Sequence, residues 1–193
     1  MLENIEKMAK ANKIPIMDKE GINYLTKLIE ENKCEKILEI GTAIGYSAIK
    51  MAKVSPKIRI TTLERDERRA HQARVNIDML QVEDQIEVIE TDALEYKTNN
   101  KFDLIFIDAA KAQYIKFFEK FKKNLRKNGI IVSDNLKFHG LVNHDKSRLS
   151  KNLRSLVTKI ENYIEFLKEN EEFKTEFIDV GDGVAVSRRK NEE

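Results

Sequence analysis

The stretch Glu39-Ile40-Gly41-Thr42-Ala43-Ile44-Gly45-Tyr46-Ser47 follows an apolar run, Lys36 to Ile40, and leads into a helical one from about Tyr46 to Lys53. Glycine at this junction permits a tight turn and lets a ligand approach the backbone, and the helix start beyond it offers unpaired amides to a carboxylate or phosphate. A nucleotide-like ligand is implied. The spacing is Gly-x-x-x-Gly and not Gly-x-Gly-x-x-Gly, so the dinucleotide fingerprint is absent. A plain strand-to-helix turn would use the same glycines.

Outward from this junction, strand and helix periodicities alternate, which predicts an α/β domain with a doubly wound, largely parallel sheet. Residues 4–12 read as a short helix, and Asp18 as the N-cap of a second one carrying Ile22, Leu25, Leu28 and Ile29 on one face. Strands are expected at Ile58 to Leu63, Ile86 to Ile89, Phe102 to Ile107 and Ile130 to Ser133. Helices are expected after Asp66, from about Gln113 to Leu125, and from about Leu149 to Glu169. The run Phe102 to Ile107 is apolar after Asp103, as in a strand buried on both faces. Phe173 to Val180 and Val184 to Arg189 flank Gly181-Asp182-Gly183 with no helix between them, which predicts an antiparallel hairpin at the end of the sheet. The chain reads as one domain over residues 1–193, with helices in 1–32 packing on the core.

Composition narrows the class. Lys and Arg number 35 against 33 Asp and Glu, so the net charge of +2 dictates no polyanionic partner by itself. Cys34 is the single cysteine, which excludes an internal disulfide and fits a reducing cytoplasm. The N-terminus lacks the unbroken apolar core of a signal peptide, and no stretch has the length of a membrane span.

Residues suited to chemistry gather at the expected carboxyl ends of the strands, where ligands bind in open α/β sheets. Glu64, 23 residues beyond Gly41, is placed to accept hydrogen bonds from ribose hydroxyls, although it could also be a solvated charge beside Arg65 and Asp66. Asp92-Ala93 lies on the same edge and could contact an adenine, or Asp92 could simply cap a helix. Asp108 ends one central strand and Asp134-Asn135 the next, so two carboxylates and an amide oxygen would converge there, a donor set for Mg²⁺ or another hard divalent cation. Soft metals are disfavoured because His71, His139 and Cys34 lie on different segments. Lys111 follows Asp108 by three residues, and a lysine near a metal and a desolvated substrate can serve as general base; a solvated surface lysine is the alternative.

Taken together, these residues resemble the class I S-adenosylmethionine-dependent, metal-dependent O-methyltransferases of the catechol and caffeoyl-CoA type. The resemblance rests on Leu38-Glu39-Ile40-Gly41-Thr42-Ala43-Ile44-Gly45-Tyr46-Ser47, Glu64, Phe106-Ile107-Asp108-Ala109-Ala110-Lys111 and Ser133-Asp134-Asn135, and spans residues 14 to 189. It implies a seven-stranded sheet with the last strand antiparallel. It also implies that Asp108, Asp134 and Asn135 bind the metal, and that Met17, Glu39, Gly41, Ser47, Glu64, Asp92, Ala93 and Asp108 line the pocket for S-adenosylmethionine. Asp108 and Lys111 would be catalytic and the chain a homodimer. Family members often carry a larger residue after the metal Asp, where this chain has Ala109-Ala110.

Within the family, Pro15-Ile16-Met17, Asn152 to Val157 and Gly181 to Arg188 resemble the bacterial branch that methylates 5-hydroxyuridine at the tRNA wobble position. The tRNA anticodon stem-loop is then the expected partner, with small catechol-like phenols as the alternative substrate. Lys137 to Arg148, Lys151 and Arg154 would meet RNA phosphates, and Phe138 and His139 could stack on an extruded base. Two other classes fit less well. An NAD-dependent oxidoreductase would need the missing glycine fingerprint, and a non-catalytic RNA-binding module would leave Asp108, Asp134 and Asn135 repelling phosphates.

Overall fold

The structure is a computed structural model, and it describes residues 2–12, 14–138, 140–142, 147 and 149–190. Its elements run α1 (Leu2–Ala11), α2 (Lys19–Glu31), β1 (Lys36–Ile40), α3 (Tyr46–Ala52), β2 (Arg59–Glu64), α4 (Glu67–Met79), β3 (Ile86–Glu90), β4 (Phe102–Ile107), α5 (Tyr114–Phe121), β5 (Leu125–Ser133), α6 (Lys151–Lys168), β6 (Phe173–Ile178) and β7 (Val184–Arg189). The seven strands form one sheet in the order β3-β2-β1-β4-β5-β7-β6. β7 pairs antiparallel with both β5 and β6, so it alone runs against the rest. The hairpin therefore folds its second strand inward, between β5 and β6.

Strand parity divides the core into two layers. Ile37, Ile60, Leu104, Phe106, Ile130 and Val132 face α1, α2, α3 and α4, whereas Leu38, Ile40, Ile105, Ile107 and Ile131 face α5 and α6. α1 contributes Ile5 and Ala9, and α2 contributes Ile22, Leu25, Leu28 and Ile29, to the first layer. Asp18 caps α2 as expected, its Oδ1 accepting from the Gly21 amide at 2.7 Å, a bond that contributes about 1 kcal/mol. No helix among the described residues is long and apolar enough to cross a membrane.

Two elements differ from the sequence reading. The helix expected over 113–125 is α5 with a single 3-10 turn at each end, Lys111–Gln113 and Lys122–Asn124. Leu125 belongs to β5 instead, and β5 is not confined to Ile130–Ser133: Leu125 pairs with Phe102 and Ile130 with Leu104, so a bulge absorbs the residues between. Gly129 is the reason such a bulge fits, because a Cβ there would lie 2.8 Å from the Asp103 carbonyl oxygen and from Leu125 Cδ1. In α6 the buried face comprises Val157, Ile160, Tyr163 and Leu167, with the expected Leu153, Leu156 and Ile164 only half-buried.

Candidate active site

The β1–α3 turn and the carboxyl ends of β2, β3 and β4 enclose a cavity of about 620 Å³. It opens where the sheet order reverses direction, between β1 and β4, which is the ligand crevice of a doubly wound sheet. Gly41 (φ +102°) presses directly on the end of β4: a Cβ would sit 2.1 Å from the Asp108 carbonyl oxygen, so no side chain fits. Met17, with Ile14, Pro15 and Ile16, makes one wall, and Ser47, Glu64, Asp92, Ala93, Asp108, Lys111 and Asn135 also face the space.

Glu64 has a double role in this geometry. Its Oε2 accepts from the Ala43 amide at 2.9 Å and its Oε1 from the Arg65 and Asp66 amides, each at 3.0 Å, so it holds the glycine turn in shape. Each carboxylate oxygen offers two lone-pair positions, so Oε2, with the Ala43 amide on one, has room for a second donor. Asp92 likewise faces the cavity while its Oδ1 caps the Leu94 amide at 2.8 Å.

Glu39 does not line the cavity. Its place on β1 turns the side chain to the Ile37 face, beneath α3, where it is fully buried. Oε1 accepts from Ser47 Oγ and Oε2 from Thr62 Oγ1, both at 2.5 Å, and Thr62 Oγ1 lies 2.6 Å from Thr42 Oγ1. Burial pushes the Glu39 carboxyl up to about 8 against these bonds, which favour the charged form; the Asp108 and Glu64 charges push the same way as burial. Glu39 thus reaches the cavity only through Ser47.

At the opposite end, the structure brings Asp108, Lys111, Asp134 and Asn135 together. Asn135 Nδ2 lies 2.8 Å from Asp134 Oδ2 and 3.4 Å from Asp108 Oδ1, and Lys111 Nζ donates to Asp108 Oδ1 at 3.1 Å. Asn135 has φ +64°, a left-handed conformation that asparagine tolerates and that turns the chain sharply after β5. Asp134 is 1% exposed, and burial first, then the neighbouring Asp108 charge, raises its carboxyl well above the ordinary range.

These residues fit a hard divalent cation. Among the described residues, buried Asp134 Oδ1 has no hydrogen-bond partner, a deficit that a bound cation would remove. The remaining donors are carboxylate oxygens and an amide whose oxygen and nitrogen exchange places on rotation. Among the described residues no three His, Cys, Asp or Glu side chains gather for a metal, so the set depends on Asn135. Cys34 is buried and His71 lies on the exposed face of α4; His139 lies outside the described residues.

Tyr114 is a neighbour of this cluster that sequence reasoning missed. Lys111 Nζ donates to its hydroxyl at 2.8 Å, and that hydroxyl donates to the Asp134 carbonyl oxygen at 3.2 Å. Its spacing to Lys111 was available as a signal, but an aromatic on an apolar helix face looks like core. Of the cations expected to meet RNA, Lys137 pairs with Asp179, and Arg154 Nη2 lies 3.4 Å from the Ser147 and Leu149 carbonyl oxygens. Lys151 is exposed, Phe138 lines the cavity, and Lys146 and Arg148 lie outside the described residues.

The O-methyltransferase family profile matches residues 1–190. A Staphylococcus aureus protein provisionally named a caffeoyl-CoA O-methyltransferase is 38% identical and superposes with a TM-score of 0.94, over 98% of this chain and 92% of that one. An O-methyltransferase from Bacillus cereus, solved in complex with SAH, is 30% identical with a TM-score of 0.81, over 98% and 90%. A catechol O-methyltransferase of Mycobacterium tuberculosis is 33% identical over 66% of this chain and 60% of its own length. The profile match and the shared fold agree with the glycine turn, the acidic strand ends and the inserted last strand, and the chain belongs to the O-methyltransferase family.

Proposed function

We propose that this O-methyltransferase transfers the methyl group of S-adenosylmethionine to one oxygen of a substrate bearing two neighbouring oxygens, with a small catechol-like phenol as the first candidate. The observation that carries the proposal is the gathering of Asp108, Asp134 and Asn135 at the ends of β4 and β5, beside the cavity that Asp108 and Asn135 line, with Asp134 Oδ1 unpartnered among the described residues. The SAH complex of the Bacillus cereus relative supports the donor, and the catechol and caffeoyl-CoA relatives support the acceptor class.

Gly41, Ser47, Glu64, Asp92, Ala93 and Met17 would hold the donor, Gly41 by admitting it to the backbone and Glu64 through the free lone pair on Oε2. Asp108, Asp134 and Asn135 would hold Mg²⁺ or another hard divalent cation. When bound, the sulfonium supplies an electrophilic methyl and the cation a Lewis acid that lowers the pKa of a chelated hydroxyl. Lys111 Nζ, located by Asp108 and Tyr114, stands over the same rim and, as the neutral amine, would take the hydroxyl proton on its lone pair. Ile14, Pro15, Ile16 and Met17 close one side against water, which favours a reaction that neutralises a sulfonium and an oxyanion together.

The tRNA 5-hydroxyuridine reading shares the vicinal oxygen edge, and one observation favours it: residues 137–154 contain Lys137, Lys146, Arg148, Lys151 and Arg154 against Asp145 alone. The test offers methyl-labelled S-adenosylmethionine and Mg²⁺ with either catechol or an anticodon stem-loop bearing 5-hydroxyuridine. Methylated catechol supports the first reading, and 5-methoxyuridine in the RNA supports the second. Transfer to neither, by protein that binds the donor, would overturn the vicinal-oxygen assignment.

A further inference from the structure

The cation rim is held from a direction its own residues do not reveal. Asp18 carries two hydrogen bonds of different kind: Oδ1 caps α2 through the Gly21 amide, and Oδ2 accepts from the Asp182 amide at 3.1 Å, across 164 residues of chain. The β6–β7 turn closes onto this carboxylate so tightly that a Cβ on Gly181 (φ +52°) would lie 2.2 Å from Asp18 Oδ2. The same turn grips the segment after β5 on its other side. The Leu136 amide donates to the Gly183 carbonyl oxygen at 3.0 Å and the Lys137 amide to the Asp182 carbonyl oxygen at 2.8 Å. A Cβ on Gly183 (φ +86°) would lie 2.8 Å from Lys137 Cγ, so here too only glycine lets the backbones meet.

The two amides so fixed immediately follow Asn135, the residue held at φ +64° beside Asp134 and Asp108. Asparagine tolerates this left-handed conformation, and the turn adds a constraint by holding the two amides that follow it. Asp18 meets that turn through Oδ2.

We propose that Asp18 is a positioning residue for the cation rim: through the Gly181-Asp182-Gly183 turn it holds the backbone of Leu136 and Lys137, and thereby the conformation of Asn135. This rests on the reading of Asp108, Asp134 and Asn135 as a divalent-cation site. It extends that reading to a residue at the start of α2, next to Met17 of the cavity wall, and to the terminal hairpin. Ordinary helix capping would need only Oδ1; the second bond is the one that reaches the rim.

The test is a Mn²⁺ titration followed by electron paramagnetic resonance on wild type, Asp18→Asn and Gly181→Ala, with donor binding and melting temperature confirming that each variant is folded. Asparagine keeps an oxygen for the α2 cap but offers no second acceptor to Asp182. Alanine at position 181 leaves the Asp18 charge in place and pushes it off the turn; if that variant does not fold, Gly183→Ala, which acts from the Lys137 side, takes its place. Weakening of Mn²⁺ binding by about tenfold in both kinds of variant is expected, the scale on which supporting contacts act on a metal site. Weakening in Asp18→Asn alone would assign the effect to charge and overturn positioning, as would wild-type binding in both. A wild type that binds no Mn²⁺ would sink the cation site itself and this proposal with it.

Discussion

Lys111 and Tyr114 are joined by a 2.8 Å hydrogen bond in which the amine donates to the phenol oxygen, and the phenol in turn donates to the backbone of Asp134. The Tyr114 ring meets Tyr163 edge-on at 5.2 Å, and the Tyr163 hydroxyl lies 2.7 Å from Ser133 Oγ. Burial, then the charges of Asp108 and Asp134, hold the Tyr114 hydroxyl well above its usual value, so it remains a donor throughout the neutral range. The amine over the rim is thus located by groups seated in the core. Tyr114→Phe is expected to lower kcat about tenfold and stability by about 1–2 kcal/mol while leaving donor affinity unchanged. Steady-state kinetics, calorimetric donor binding and urea denaturation check this; unchanged kcat would show that Lys111 needs no such anchor.

Asp134 supplies the unpartnered buried oxygen of the rim. Asp134→Ala should reduce methyl transfer by about 10²-fold or more, the scale of losing a preorganised electrostatic contact, while donor binding persists. Stripping wild type with a chelator should have the same effect and Mg²⁺ should reverse it. Full turnover by either preparation would remove the cation from the reaction.

Glu39 makes stability depend on pH with a definite sign. Its carboxyl is raised from 4.5 to about 8 by burial, so between those values the folded chain retains a proton that the unfolded chain has lost. Stability is therefore highest, as far as this group is concerned, below the unfolded value, and falls by up to about 1.4 kcal/mol per pH unit until the folded carboxyl ionises. Glu39→Gln should flatten that decline. Urea midpoints at pH 5.5 and pH 8 for both proteins measure it, and parallel slopes would show that Glu39 is already ionised in the fold.

S-adenosylmethionine at a hundredfold excess over its Kd should stabilise the protein by about 2.7 kcal/mol, and NAD should not. A thermal shift assay separates the two. A larger rise with NAD would return the crevice to the oxidoreductase class that the missing glycine fingerprint argues against.

Gly41→Ala should cost about 3 kcal/mol or more, since alanine is strained at a φ of +102° and its methyl would have to displace the end of β4. Chemical denaturation reads the loss directly. A variant as stable as wild type would mean that the β1 and β4 ends can separate freely.

The main outline was legible because it follows from periodicity: Phe102 to Ile107 reads as a doubly buried strand, and the ends of parallel neighbours must share an edge, which is why Asp108 and Asp134-Asn135 could be brought together from sequence alone. Glu39 was misplaced because motif position overrode strand parity; alternation from Ile37 already turns it away from the crevice. Tyr114 and Tyr163 were hidden by their own hydrophobicity, which makes a hydrogen-bonding phenol look like packing. The early start of β5 at Leu125 was hidden because Lys127, Asn128 and Gly129 carry no strand pattern while they form the bulge. The link from Asp18 to Asp182 spans nearly the whole chain, and no local pattern announces it.

The strand order separates two halves of the crevice. β1, β2 and β3 on one flank lead into most of the residues proposed to face the methyl donor, β4 and β5 on the other into the rim proposed to meet the acceptor, and Gly41 under the Asp108 carbonyl is where the halves press together. On that reading, substitutions in the segments after β4 and β5 would change acceptor preference and leave the donor half in place. Only the seam between them has no such freedom.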